Sequence, residues 1–173
     1  TGLSPETITL LEDNQPRPVT IEEFQPGVDF ALALDPGAYF AYRDARGVTR
    51  FDNVVQVVRD WAAAHADSLG DDLSLVPIGG VPLMHSDSSA AFLSTLDAYQ
   101  PNLQTILSSP QTLSLAMDAV SEPRSGSGMK SVVLYITSIP TAGNIRVLRN
   151  LTQRAVDQMI RVHVWIVISP DLS

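Results

Sequence analysis

The chain has no cysteine, which removes disulfide frameworks, thiolate zinc sites and thiol nucleophiles together. It is poor in positive charge. Eleven Lys and Arg stand against nineteen Asp and Glu, for a net charge of -8. Lys130 is the single lysine. Without a basic footprint there is nothing to hold nucleic acid or an anionic membrane, so neither is expected as a partner. No apolar run approaches the roughly 18 residues of a spanning helix, and no signal-peptide pattern is visible. No Gly-x-Ser-x-Gly elbow is present, so a hydrolase triad lacks its strained nucleophile. No phosphate-binding loop follows the first long strand, because Asp35-Pro36-Gly37-Ala38-Tyr39 lacks the required glycine spacing. Gly126 and Gly128 precede a strand instead of following one. These absences point away from an enzyme and away from a bound cofactor.

What is present reads as an α/β domain. A length of 173 residues fits one domain. Residues 28–34 are almost continuously apolar, the pattern of a strand covered on both faces. Residues 50–69 repeat apolar side chains at helical spacing: Phe51, Val54, Val55, Val58, Trp61, Ala62, His65 and Leu69. Thr49 is placed to cap that helix, with Asp52 three residues on. Residues 73–78 and 81–85 read as strands joined by Gly79-Gly80, so the second is an antiparallel edge, where Pro82 is tolerated. Helices follow over 88–99, with Ala91, Leu93, Leu96 and Tyr99 inward, and from Ser109-Pro110, with Leu113, Ala116, Met117 and Val120 inward. A strand from Lys130 to Thr137 comes next. Then come a helix over 143–159 with Ile145, Leu148, Thr152, Ala155 and Met159 inward, and a last strand over 162–168. Helical crossovers of this length imply a doubly wound, mostly parallel sheet with helices on both faces, three layers in all. Strands 28–34, 73–78 and 131–137 should lie side by side and parallel.

In such a sheet ligands gather at the carboxyl ends of the strands, and Asp35 sits at that end of the first core strand. The chain here resembles a von Willebrand factor type A domain over about residues 28–169. Val28–Leu34 followed by Asp35-Pro36-Gly37-Ala38-Tyr39 stands where that family has an apolar strand and Asp-x-Ser-x-Ser. Ser109-Pro110-Gln111-Thr112-Leu113 stands in its threonine loop, and Val133-Leu134-Tyr135-Ile136-Thr137-Ser138 where a strand runs into Thr-Asp-Gly. Ile8 to Pro16 is similar to a lead-in segment of bacterial secreted members. The resemblance implies a Rossmann-like fold, and in most members a magnesium-dependent adhesion site. It also implies a domain cut short before a last strand and helix, with residues 1–27 as an N-terminal extension or lead-in strand. Here Gly37 and Tyr39 replace both serines and Thr137 replaces the second aspartate, while Thr112 or Gln111 holds the threonine place. One carboxylate compensates a divalent hard cation poorly, so no metal is expected at Asp35.

Each candidate has two readings. Asp35 is a residual metal ligand, or it caps the following turn through backbone N–H groups. Tyr39, Phe40 and Tyr42 are contact anchors on the ligand edge, or they pack over the vacated position. With Asp35, Thr112 and Thr137 they make up the candidate interaction surface. His65 falls on an apolar helix face, His85 at a solvent-facing strand end and His163 on the sheet surface. A phosphoacceptor site of Asp35, Thr137 and Lys130 fails on geometry, because Lys130 begins its strand at the opposite edge. The expectation is a non-catalytic protein–protein interaction or scaffolding domain of a larger bacterial secreted or surface protein, extracellular or on the cell surface, with a protein partner. The alternative is a magnesium-dependent adhesion domain with a non-standard shell around Asp35. The strand over 162–168 has neither Pro nor Lys to protect its edge. Something should cover it: residues 7–11, a second copy in a homodimer, or a following tail.

Overall fold

The computed structural model describes residues 9–17, 27–65, 70–122 and 129–168. The lead-in forms a hairpin of its own. β1 (Leu10–Glu12) pairs antiparallel with β2 (Gln15–Arg17) through Asp13-Asn14, both in the left-handed region. Two such residues suit a two-residue hairpin whose twist matches its strands.

The domain proper is a five-stranded sheet in the order β5-β4-β3-β6-β7. Its strands are β3 (Val28–Asp35), β4 (Asp72–Pro77), β5 (Leu83–Ser86), β6 (Lys130–Ser138) and β7 (Arg161–Val167). β3 runs parallel to both β4 and β6, β6 runs parallel to β7, and β5 is the antiparallel edge. The expected pairing of the three core strands holds. Their register places Asp35 opposite Thr137 and Asp29 opposite Asp72.

Side-chain alternation along β3 sorts the core into two halves. Phe30, Leu32 and Leu34 face α1 (Arg50–Ala64) and α2 (Ser89–Ala98), where Phe51, Val55, Val58, Phe92 and Leu96 meet them. Ala31 and Ala33 face α3 (Gln111–Ser121) and α4 (Ala142–Asp157), where Leu113, Met117, Val120 and Leu151 pack. The result is a three-layer, Rossmann-like α/β domain.

Local chemistry sets the helix ends. Thr49 and Asp52 form a full capping box, each side chain bonded to the other residue's backbone N–H. α3 begins at Gln111 with Pro110 preceding it, and Ser109 Oγ accepts from the Gln111 amide at 3.3 Å.

Four expectations shift. α1 ends at Ala64 with His65 exposed beyond it, while Leu69 lies outside the described residues. The inward stripe of α4 is Leu148, Leu151 and Ala155. Thr152 and Ile145 are exposed, and Met159 lies past the helix end, 89% exposed and in the left-handed region. His85 is only partly exposed and bonds to Asp72. β1 pairs with β2 and not with β7, whose outer edge has no strand partner among the described residues.

Trp61 is half-buried instead of enclosed. Its ring lies 4.6 Å from Phe30 and 6.3 Å from Phe92, centroid to centroid. Truncation then loses aromatic contact more than it opens a sealed cavity. Trp61→Ala should cost about 2–3 kcal/mol in urea unfolding, below the range for an enclosed tryptophan. A loss above about 4 kcal/mol would mean that this face is closed over.

Candidate functional site

Asp35 ends β3 on the α3 side of the sheet and is wholly buried. A buried carboxylate needs donors to replace its water. Here four groups supply them. Ser108 Oγ (2.7 Å), Tyr135 Oη (2.6 Å) and Thr137 Oγ1 (3.1 Å) donate to Oδ2. The Ser109 amide donates to Oδ1 at 2.8 Å. Tyr135 and Thr137 arrive from β6, two residues apart on one face, and Thr137 is the register partner of Asp35. Ser108 and Ser109 arrive from the loop before α3. Asp35 therefore ties the central strand to its neighbour and to the loop that opens α3.

Burial, with the Asp35 carboxylate as the second cause, pushes the Tyr135 hydroxyl well above the usual phenol range. Burial and the same carboxylate raise Tyr99, whose hydroxyl donates to the Ile78 carbonyl at 2.8 Å. Both phenols stay protonated and serve as donors.

The other predicted positions divide. Gly37 is buried, and a Cβ on it would come within 2.4 Å of Ser138 Oγ. The space of a serine side chain at 37 is thus taken by the serine at 138. That hydroxyl is buried and has no hydrogen-bond partner among the described residues. Thr112 and Thr137 are both buried. Phe40 is fully buried in the half of the core under α1, so it is a plug and not a contact residue. Only Tyr39 and Tyr42 of the proposed surface reach outward. Their rings stack at 6.1 Å and 14°, and Arg50 lies over Tyr42 at 5.9 Å.

Magnesium does not fit these residues. It needs several free oxygen ligands in octahedral geometry. The single carboxylate spends both oxygens on hydroxyl and amide donors, Gly37 offers no ligand, and Tyr39 turns to Tyr42. Among the described residues no group of three or more His, Asp or Glu could hold a metal ion.

Sequence reasoning missed Ser108 altogether, and it named Ser109 and Tyr135 without linking them to Asp35. Tyr135 was accessible in principle, since strand alternation puts it on the face of Thr137 two residues away. Ser108 and Ser109 were not, because their approach depends on how residues 99–110 cross the end of the sheet.

Around this sealed node the carboxyl edge of the sheet is studded with apolar side chains. Leu107 is 83% exposed and Val81 is 81% exposed, with Tyr42 and Leu115 also well exposed. Shallow hollows lie between them. One of about 280 Å³ is lined by Tyr39, Tyr42 and Leu103, and one of about 470 Å³ by Val81, Tyr99 and Ile106 among others.

No protein-family model matches the chain, and no curated protein matches it. In structure the chain is similar to an aerotolerance-related membrane protein from Bacteroides fragilis, solved with multiple mutations to serines. The TM-score is 0.59 at 14% identity, over 80% of this chain and 66% of that one. This chain therefore spans just under two thirds of that protein's length. At such identity the likeness is one of fold: a Rossmann-like three-layer α/β domain, with Asp35 at the carboxyl end of its central strand.

Proposed function

We propose that this chain is a von Willebrand A-like domain that serves protein–protein interaction or scaffolding, without catalysis and without a metal, inside a larger bacterial secreted or surface protein. The observation that carries the reading is the contrast at the carboxyl edge. The carboxylate that would bind an ion is saturated by protein donors, while Leu107, Val81, Tyr42 and Leu115 around it stand out into solvent. Exposed apolar and aromatic side chains grouped at one edge are the usual substance of a protein contact. The fold likeness to a bacterial membrane protein supports the setting. Among the described residues no helix is long and apolar enough to cross a membrane.

A photo-crosslinking residue at Leu107 in the native cell tests the contact. Expected are discrete adducts that persist in EDTA and weaken in Tyr42→Ala. Adducts that vanish in EDTA, together with calorimetric magnesium binding lost in Asp35→Asn, would promote the adhesion alternative. A second copy is the further partner this reading includes, because among the described residues no strand pairs with the outer edge of β7, which exposes Val164, Trp165 and Ile166. Light scattering over a concentration series should then show dimer mass, and a constant monomer mass defeats that part.

A further inference from the structure

The opposite, amino-terminal end of the sheet carries a second buried acidic group with a different character. Asp29 on β3 is the register partner of Asp72 on β4. Neighbouring parallel strands in register point such side chains to the same face. Asp29 is fully buried and Asp72 nearly so. Unlike Asp35, they have almost no donors. Among the described residues, both oxygens of Asp29 and Oδ1 of Asp72 are buried without a hydrogen-bond partner. Asp72 Oδ2 lies 2.8 Å from Nδ1 of His85, on the edge strand β5. His85 is the group's partly exposed member, its side chain 25% accessible.

The backbone at His85 is unusual as well. Its φ of 55° places it in the left-handed region, uncommon for a residue with a Cβ. Its amide donates to Ser74 Oγ at 3.0 Å, at the point where the β4–β5 register is irregular. β5 is held to β4 by pairing at Leu73–Ser86 and Leu75–Leu83, by the His85 amide on Ser74 and by the Asp72–His85 contact.

We propose that Asp29, Asp72 and His85 form an acid-set clamp that fastens β5 to the sheet. It closes when a proton sits on the aspartate pair, and it loosens when that proton leaves.

Two buried carboxylates side by side cannot both ionise without cost, and one proton between them removes the repulsion and supplies a donor to an orphan oxygen. Asp72 Oδ2 keeps its 2.8 Å contact with His85 Nδ1. The groups that bear on Asp29 can be taken element by element. From β4 it is Asp72, while Asp71 at the strand's start accepts from the Val28 amide. From β5 it is His85. From β6 the register partner is neutral Ser131, bonded to the Val120 carbonyl, and Lys130 is exposed. From α3, Asp118 is engaged by Arg154 of α4, and Glu122 is exposed. No cation among the described residues offsets the pair except His85. Burial first, and Asp72 second, accordingly push Asp29 up to about 6, with His85 pulling the other way.

The direction of the stability effect follows. A group raised in the folded state stabilises fully below its unfolded value near 4, and that stability is lost as pH rises through about 6. The folding constant should fall by roughly ten- to a hundredfold across this window through Asp29 alone. The comparison is wild type against Asp29→Asn, unfolded in urea from pH 4.5 to 7.5. The variant, neutral at this position throughout, should gain on wild type by that factor as pH rises. Hydrogen exchange of the β5 amides, corrected for intrinsic rate, should quicken more than that of β3 over the same range. If the Asp29→Asn change prevents folding, a carbon-13 carboxyl titration of Asp29 in the wild-type protein decides, with an expected midpoint near 6. A midpoint near 4, or parallel pH profiles for the two proteins, overturns the clamp.

Discussion

Replacing Asp35 with alanine should destabilise the domain by about 3–5 kcal/mol in urea unfolding, one of the two largest effects expected of any single change here. The reason is what the carboxylate leaves behind. The Tyr135 and Thr137 hydroxyls converge on it from buried residues, and the Ser108 hydroxyl and Ser109 amide from half-buried ones. Hydroxyls can turn towards other acceptors, but the amide cannot, and Tyr135 is fixed by its ring in the core. Each orphaned buried donor costs about 1–3 kcal/mol, less whatever relaxation recovers. Asparagine keeps one acceptor oxygen and sets an NH₂ against a donor, so Asp35→Asn should fall between alanine and wild type. Tyr135→Phe should cost about 1 kcal/mol, because it removes a donor and leaves the carboxylate its other three. That series separates a structural node from a metal ligand. If Asp35→Ala costs less than about 1 kcal/mol while abolishing magnesium binding, the carboxylate belongs to an ion and not to the fold.

The same residues show how far the amino-acid sequence could be read. Strand direction followed from crossover length, since a helical link permits parallel pairing and Gly79-Gly80 does not. The capping box at Thr49 and Asp52 was visible because it is local chemistry, settled within one turn. That positions 37 and 39 hold no serine was visible too. What surrounds Asp35 was not. Tyr135 reaches it from 100 residues away in sequence, and Ser108 from 73 away. Which side chains meet there depends on register between distant elements and on the path of a loop. The Asp29–Asp72 pair was hidden for the same reason, since residues 43 apart become neighbours only once β3 and β4 are aligned. The misplaced face of α4 has another cause. Its apolar residues fit more than one stripe, and the helix stops at Asp157, before Met159 can extend the one first read.

Phe40 and Tyr42 lie two residues apart in the loop after β3, and their alanine variants should fail in opposite ways. Phe40→Ala should cost about 3–5 kcal/mol of stability, since a fully buried phenylalanine leaves a cavity as well as losing transfer energy. The surrounding core residues, Leu34 and Ile136 among them, belong to rigid strands and cannot close over it. The short 3₁₀ helix Ala38–Ala41 carries this ring inward, and the Phe40 amide donates to the Gly37 carbonyl at 3.0 Å. Tyr42 sits just beyond that helix, 44% exposed and stacked on Tyr39. Tyr42→Ala should leave stability within about 1 kcal/mol of wild type, as surface changes usually do. Its effect should appear in the contact instead, as a loss of roughly tenfold or more in partner affinity or crosslink yield at Leu107, the scale of an aromatic anchor. Urea midpoints and crosslink yields on the two variants read both halves. A stable Phe40→Ala would show that the ring plugs nothing. A Tyr42→Ala protein that keeps full crosslink yield would move the contact off the carboxyl edge, leaving the open edge at β7 as the surface to probe.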